Sequence, residues 1–448
     1  MNSAEFHRWA ALVIFLAGFA SFLFVEKHRH WLALACAVLV VSLGLYTPKQ
    51  AFLAVNWKIV IIFFTTLAAA EVFMLSGAAA YAAEAILHHV KSPCWAILVL
   101  CSLTGFLSLF VENVACVLVA APVALSLAER LKMPPQPILV ACALASNLQG
   151  CGLLIGDPPS MLMAAEARLS FFQFVWYAGK PSIFWAVQAG AVAGLAHLWF
   201  VFRKHRGRVD IEPTARLLGV IPTLSLFGVI AGLAVATQIQ GGIGWGAPAA
   251  CAFFALVSFV WLALKTRGSA AHDEDMEAAL FEQELPSLAS YVKGLDWKTT
   301  LFILAVFVPV SALAEYKWVD SLANAIKAVS FGKPTITFAY LVVASMIISG
   351  FVDNIPFLLV MLPAVTTLGN SLGIAGKPMF LYFGLLLGTS VGGNITPIGA
   401  QANVAAVGLL RKHGHPMKLK DYMALSLPYT ILAVAASCAF TYLIYGPK

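Results

Sequence analysis

The chain has 448 residues, 61% of them hydrophobic and 11% charged, with a formal net charge of +7. A soluble globular chain carries about 25% charged residues, so this one cannot cover a water-facing surface. The positive excess then reads as basic loops on the cytoplasmic face of a membrane rather than as a nucleic-acid footprint.

Apolar runs near the ~20 residues that cross a bilayer recur along the whole length. They predict an all-α polytopic membrane protein. The first run, HRWAALVIFLAGFASFLFVEKHRH, is long and offers no convincing small-x-small cleavage site before its charged cluster. A retained helix over 8–25 is therefore expected rather than a signal peptide. A second span is expected over 31–46, and the N-terminal transmembrane helices occupy 1–54.

The first repeat is expected over 55–202. It opens with a span at 58–76 that carries Glu71 in TLAAAEVFML. Glu71 relays protons or bonds across helices, and the sequence leaves both readings open. About 94–128 follows, an apolar stretch bent at LFVENVACVLVAAP, which predicts a re-entrant helical hairpin with Glu112-Asn113 at its tip. The next segment, about 136–165, would be a helix but for SNLQGCGLLIGDPPS, where Gly150, Gly152, Gly156, Pro158 and Pro159 break it. Asn147, Gln149, Asp157 and Ser160 supply polar company for the opened backbone. A span over 173–202 closes the repeat, with Lys180 expected to snorkel and His197 to pack.

Residues 203–296 are expected to hold linking helices and cytoplasmic loops. These are the basic segment RKHRGRVDIEPTAR, spans at 217–238 and 246–264, and a loop whose acidic run Asp273, Glu274, Asp275 and Glu277 reads as a solvated linker. The second repeat, 297–448, has a span at 298–315. A hairpin at about 335–369 follows, with Asp353-Asn354 inside SGFVDNIPFLLVMLP. A broken helix at about 378–411 contains GTSVGGNITPIGAQAN, and the last span is 423–445. That second break carries Gly392, Gly393, Pro397 and Gly399 among Thr389, Ser390, Asn394, Thr396, Gln401 and Asn403.

Three landmarks recur in the same order at a nearly constant spacing of roughly 240 residues. They are Trp57-Lys58 with Trp297-Lys298, Glu112-Asn113 with Asp353-Asn354, and Gly156 with Gly399. An odd number of crossings separates the copies, so the repeats are expected to be inverted in the membrane. The basic segments 26–30, 203–216, 265–297 and 411–420 set the cytoplasmic side, although Arg8, Lys49 and Lys58 oppose that assignment.

Irregular backbone inside lipid is tolerated only where protein or a water-filled cavity surrounds it. An ionisable residue there costs about 2.5–3.5 kcal/mol even on the lenient insertion scale. The candidate substrate- or ion-binding residues are therefore Glu112, Asn113, Asn147, Asp157, Ser160, Asp353, Asn354, Ser390, Asn394, Thr396 and Asn403. Gly150, Gly156, Gly393 and Gly399 offer backbone at the breaks. A carboxylate beside exposed helix ends suits Na⁺ or a proton. The eight cysteines have no CxxC or metal-ligand spacing and read as packing residues, with the part played by Cys151 left open. A P-loop and HExxH are both absent, which argues against ATP-driven pumping and against an enzyme.

FVDNIPFLLVMLP, LLIGDPPSML and GGNITPIGAQAN together resemble the ion transporter superfamily. The branch is the one holding the arsenite pump ArsB, the NhaD sodium/proton antiporters, the P protein and the citrate-transporter-like permeases. The resemblance spans about residues 55 to 445. It implies a homodimer with a scaffold domain and a mobile transport domain, working by elevator-like alternating access. It also puts Glu112-Asn113 and Asp353-Asn354 at hairpin tips that carry Ser-Asn-Thr in the wider superfamily's dicarboxylate carriers. Acids in place of serines favour handling of a proton or cation. Gln149-Gly150-Cys151-Gly152-Leu153 and Ser160 depart from the family pattern, which usually has hydroxyls in the first break and Asn at the serine. The expected function is an H⁺- or Na⁺-coupled secondary active transporter of a small ion or anionic solute in the cell membrane. A Na⁺/H⁺ antiporter or an arsenite efflux permease is the alternative, ahead of a channel, a uniporter or an intramembrane enzyme. No cofactor is expected beyond the coupling ion, and the partners are membrane lipid, the solute and a second copy, with no nucleic acid.

Overall fold

The structure, a computed structural model, describes residues 3–25, 28–205, 215–267, 285–374 and 376–447. Glu26, Lys27, most of the basic segment 203–216 and the acidic run at 273–277 lie outside the described residues. A chain this apolar must satisfy its backbone internally, and helices do so segment by segment. The first half contains α1 (Ser3–Phe24), α2 (Arg29–Ser42), α3 (Pro48–Ala54), α4 (Trp57–Leu75) and α5 (Ala78–Leu87). It continues with α6 (Pro93–Ser108), α7 (Asn113–Leu131), α8 (Gln136–Gly150), α9 (Pro158–Glu166) and α10 (Ile183–Phe202). The second half contains α11 (Ile221–Gln240), α12 (Gly246–Thr266), α13 (Leu288–Gly294), α14 (Trp297–Glu315) and α15 (Trp318–Val329). It ends with α16 (Pro334–Ser349), α17 (Asn354–Ser371), α18 (Met379–Gly392), α19 (Gln401–Lys412) and α20 (Leu419–Tyr445). Among the described residues, 8 helices are long and apolar enough to cross a membrane, and the protein is an all-α polytopic membrane protein.

The Trp-Lys landmarks have a structural reason. Each tryptophan opens a long helix, and its indole N–H closes on a carbonyl five residues back in the preceding short helix. Trp57 Nε1 donates to Phe52 O at 3.0 Å and Trp297 Nε1 to Val292 O at 2.7 Å. The residue before each tryptophan caps the helix: Asn56 accepts from Ile59 N and Asp296 from Thr299 N. The long helices then pack on elements from the other half, α4 against α12 and α14 against α2.

The helical hairpins and broken helices sit next to these. α6 packs on α7 and α8, while α18 packs on α16 and α17. Pro93 and Pro334 open α6 and α16, the first-turn position where a missing N–H costs nothing. α15 and α16 meet at a bend of 113°. The start of α8 lies beside the loop between α19 and α20, through Gln136 Nε2 to Pro416 O at 3.4 Å. The loop after α17 lies beside the end of α9, through Lys377 Nζ to Arg168 O at 3.3 Å.

The span expected over 173–202 starts as helix only at Ile183. Before it come a 3₁₀ turn (Phe171–Phe174) and a two-residue antiparallel strand pair, Trp176–Tyr177 with Lys180–Pro181. Ala178 and Gly179, both at positive φ, turn that tiny hairpin, so the aromatic run cannot continue as helix. Lys180 Nζ donates to Ile444 O at 3.2 Å from this hairpin.

Candidate functional site

The two hairpin tips are built alike. Residues 109–112 separate α6 from α7, and 350–353 separate α16 from α17. In the first tip Glu112 caps α7, its Oε2 accepting from Val114 N at 2.8 Å and Ala115 N at 3.3 Å. In the second, Asp353 caps α17, its Oδ1 accepting from Ile355 N at 3.0 Å. An acidic cap satisfies the unpaired amides of a helix start and meets the positive end of its dipole. The asparagine that follows each acid is held by a serine at the preceding helix end: Ser108 donates to Asn113 Oδ1 and Ser349 to Asn354 Oδ1.

The helix breaks lie against these tips. Residues 151–157 interrupt α8 and α9; a 3₁₀ turn (Gly393–Ile395) and residues 396–400 interrupt α18 and α19. Asp157 restarts the first broken helix, accepting at Oδ1 from Ser160 N (2.9 Å) and Ser160 Oγ (2.6 Å). Glycine is required where the breaks touch the tips. A Cβ on Gly156 would sit 2.8 Å from Ser108 O, and one on Gly399 would sit 2.6 Å from Gly393 O and 2.8 Å from Gly350 O.

A chain of buried amides joins the two halves at Asn147. Its Oδ1 accepts from Asn113 Nδ2 at 3.3 Å. Its Nδ2 donates to Asn394 Oδ1 at 2.8 Å and to Asn403 Oδ1 at 3.0 Å. Asn394 Nδ2 continues to Leu144 O at 3.2 Å, and Asn403 Nδ2 to Gly393 O at 3.0 Å. The side-chain amides thus take up carbonyls that the breaks release.

Tips and breaks enclose a cavity of about 110 Å³. Its walls carry Glu112, Asn113, Asn147, Asp157, Asp353, Asn354, Ser390 and Gly399 from the sequence candidates. Ser390 Oγ is buried there with no hydrogen-bond partner among the described residues. Ser160, Asn394, Thr396, Asn403, Gly150, Gly156 and Gly393 do not line the cavity. Ser160, Asn394 and Asn403 hold the wall residues or the opened backbone, and Thr396 Oγ1 bonds Gly350 O at the second tip. Glu71 stays outside the cavity, with Oε2 buried and without a hydrogen-bond partner among the described residues, and Cys151 Sγ donates to Leu148 O at 3.1 Å.

Four polar wall residues are absent from the sequence candidates: Arg29, Asp296, Thr299 and Gln401, the last noted in the sequence only as a polar neighbour of the second break. Arg29 Nη1 pairs with Asp353 Oδ2, and Arg29 Nη2 donates to Thr299 Oγ1 at 3.3 Å. The guanidinium carbon lies 5.1 Å from the Phe302 ring centroid. The wall thus holds four carboxylates, on Glu112, Asp157, Asp296 and Asp353, and one guanidinium.

A family model described as "Citrate transporter" matches the chain over residues 11–379 and 276–448. The chain belongs to the citrate transporter family. An uncharacterized transporter of Mycobacterium tuberculosis is 27% identical over 451 residues, covering 97% of this chain and 98% of the relative. The human P protein is 24% identical over 476 residues, covering 87% of this chain and 53% of the relative. The crystal structure of the YdaH transporter of Alcanivorax borkumensis shares the fold at a TM-score of 0.58 and 14% identity, covering 99% of this chain and 98% of that one. Membership in the citrate transporter family makes the chain a multi-pass membrane transporter and not an enzyme. It also agrees with the branch to which the hairpin and break motifs pointed.

Proposed function

We propose that the chain is an ion-coupled secondary active transporter, in which H⁺ or Na⁺ at the acid-lined cavity drives movement of a small ion or anionic solute by alternating access. The observation that carries this reading is the meeting of both acid-capped tips and both helix breaks at one cavity. Four carboxylates against one guanidinium leave an acid excess that attracts a cation or holds protons. An anionic solute enters such a cavity only with that excess offset, which makes cation occupancy a condition of solute binding and so a means of coupling.

Inverted repeats supply the alternation. The start of α8, just after the first hairpin, lies with the α19–α20 loop, and the loop after the second hairpin lies with the end of α9, which supports entry of the two hairpins from opposite faces. A second copy is part of this proposal by resemblance to the superfamily. Na⁺/H⁺ antiport and arsenite efflux are variants of the same cycle with a different solute.

The test has two steps. Purified protein is first screened by thermal unfolding with citrate-like carboxylates, arsenite and Na⁺ at two pH values, since a binder stabilises in proportion to its occupancy. The stabilising solute is then followed into proteoliposomes under an imposed pH or Na⁺ gradient. Glu112→Gln is expected to keep the fold and to lower gradient-driven flux at least about 100-fold, an effect of about 2.7 kcal/mol. Gradient-driven flux at the wild-type rate in that variant removes Glu112 from coupling. Flux that ignores both gradients and rises linearly with driving force makes the protein a channel.

A further inference from the structure

The two tips match in sequence and backbone and differ in charge. At Glu112 the capping amides take one carboxylate oxygen, and no basic side chain pairs with it among the described residues. At Asp353 the capping amide takes Oδ1 and Arg29 takes Oδ2. The pair is sheltered, with side-chain exposures of 12% for Arg29 and 16% for Asp353. Arg29 is also the first residue of α2, the helix end where a cation is disfavoured by the dipole. The opposing charge of Asp353, the hydroxyl of Thr299 and the face of Phe302 compensate it there.

We infer that Arg29 is a tethered cation that fills the cation position at Asp353, so that a mobile coupling cation is taken on the Glu112 and Asp157 side of the cavity alone. The inference rests on reading the cavity as the transport site. Repeat symmetry offers two equivalent acid positions, and the protein's own guanidinium occupies one. Arg29 therefore sets how many cations the site accepts, and it does so by position: the fork reaches Asp353 and Thr299 together, which a flexible lysine ammonium does not reproduce.

Free guanidinium ion is the probe. Arg29→Ala opens a guanidinium-sized gap beside Asp353. The thermal unfolding midpoint of detergent-purified Arg29→Ala is expected to rise by a few degrees in ~10 mM guanidinium chloride relative to choline chloride, and to a smaller extent in NaCl. The wild type is expected to show no such rise in guanidinium chloride. Adding Asp353→Asn to Arg29→Ala is expected to abolish it. An equal response in wild type and Arg29→Ala, or a response that survives Asp353→Asn, overturns the inference. Should Arg29→Ala not fold, Arg29→Lys carries the same test. Its looser pair is expected to admit guanidinium at higher concentration, and a wild-type response in that folded variant overturns the inference equally. The readout is binding in detergent. Absence of solute flux in proteoliposomes would remove the transport reading and leave this result standing.

Discussion

Asn147→Ala is expected to lower stability by about 2–3 kcal/mol and to abolish transport. Asn147 accepts from Asn113 and donates to Asn394 and Asn403, and it is 2% exposed. Alanine leaves the buried Asn394 and Asn403 each with an unmet acceptor and the half-buried Asn113 with an unmet donor. Each such loss costs about 1 kcal/mol in water-soluble proteins and somewhat less between membrane helices. Thermal unfolding in detergent reads the stability change as a fall of several degrees. Asn394→Ala is the companion variant. It loses its bonds to Asn147 and to Leu144 O and is expected to cost less, because Asn147 keeps Asn113 and Asn403. A midpoint for Asn147→Ala within experimental error of wild type would mean that the amides do not hold the halves together.

Gly399→Ala is the second large effect. The added methyl would lie 2.6 Å from Gly393 O, 2.8 Å from Gly350 O and 3.0 Å from Ser349 O. All three neighbours are backbone, so none can step aside as a long side chain would. Overpacking of this kind costs about 1–3 kcal/mol where the surroundings can shift. Here the shift must open the second break away from the second tip, which deforms the cavity wall at Gly399 itself. Transport is expected to fall at least about 100-fold, which corresponds to about 2.7 kcal/mol in the barrier. Gly408→Ala is the control. Gly408 lies inside α19 with nothing within 4 Å of its added methyl. It is expected to raise stability by about 0.5–1 kcal/mol, since alanine favours a helix interior over glycine. Similar transport loss in both variants would show that glycine content, and not the contact at the break, is what matters.

Helix breaks and tips were legible in the sequence because glycine, proline and acids are costly inside apolar runs, so each marks a place where the helix is interrupted. The Trp-Lys landmarks were legible because both carry the same structural duty, the indole closing on the preceding short helix. Arg29 was not legible. A basic residue beside an apolar run is the ordinary flank of a cytoplasmic helix end, and only the packing of α2 on α14 brings it to Asp353. The one local sign was its place in the first turn of α2 rather than the last. Asp296 stood next to the Trp-Lys landmark and was passed over because a cap residue has no signature until the helix start is known. The short helices α3, α5, α13 and α15 escaped because none is long enough to read as a span.

The amide bonds at Asn147 and the ion pair at Asp353 divide the molecule mechanically. Sliding one broken helix past the other would have to break the bonds from Asn147 to Asn394 and Asn403 between buried side chains. Sliding tips and breaks together past α2 and α14 would leave those bonds whole and part Arg29 from Asp353 and Thr299. On the proposed transport cycle, part of the resistance along the second path is this charge pair in the cavity wall, so the stiffness of the seam would depend on which ions occupy the cavity. Salt, and not temperature alone, should then set how often the seam slips.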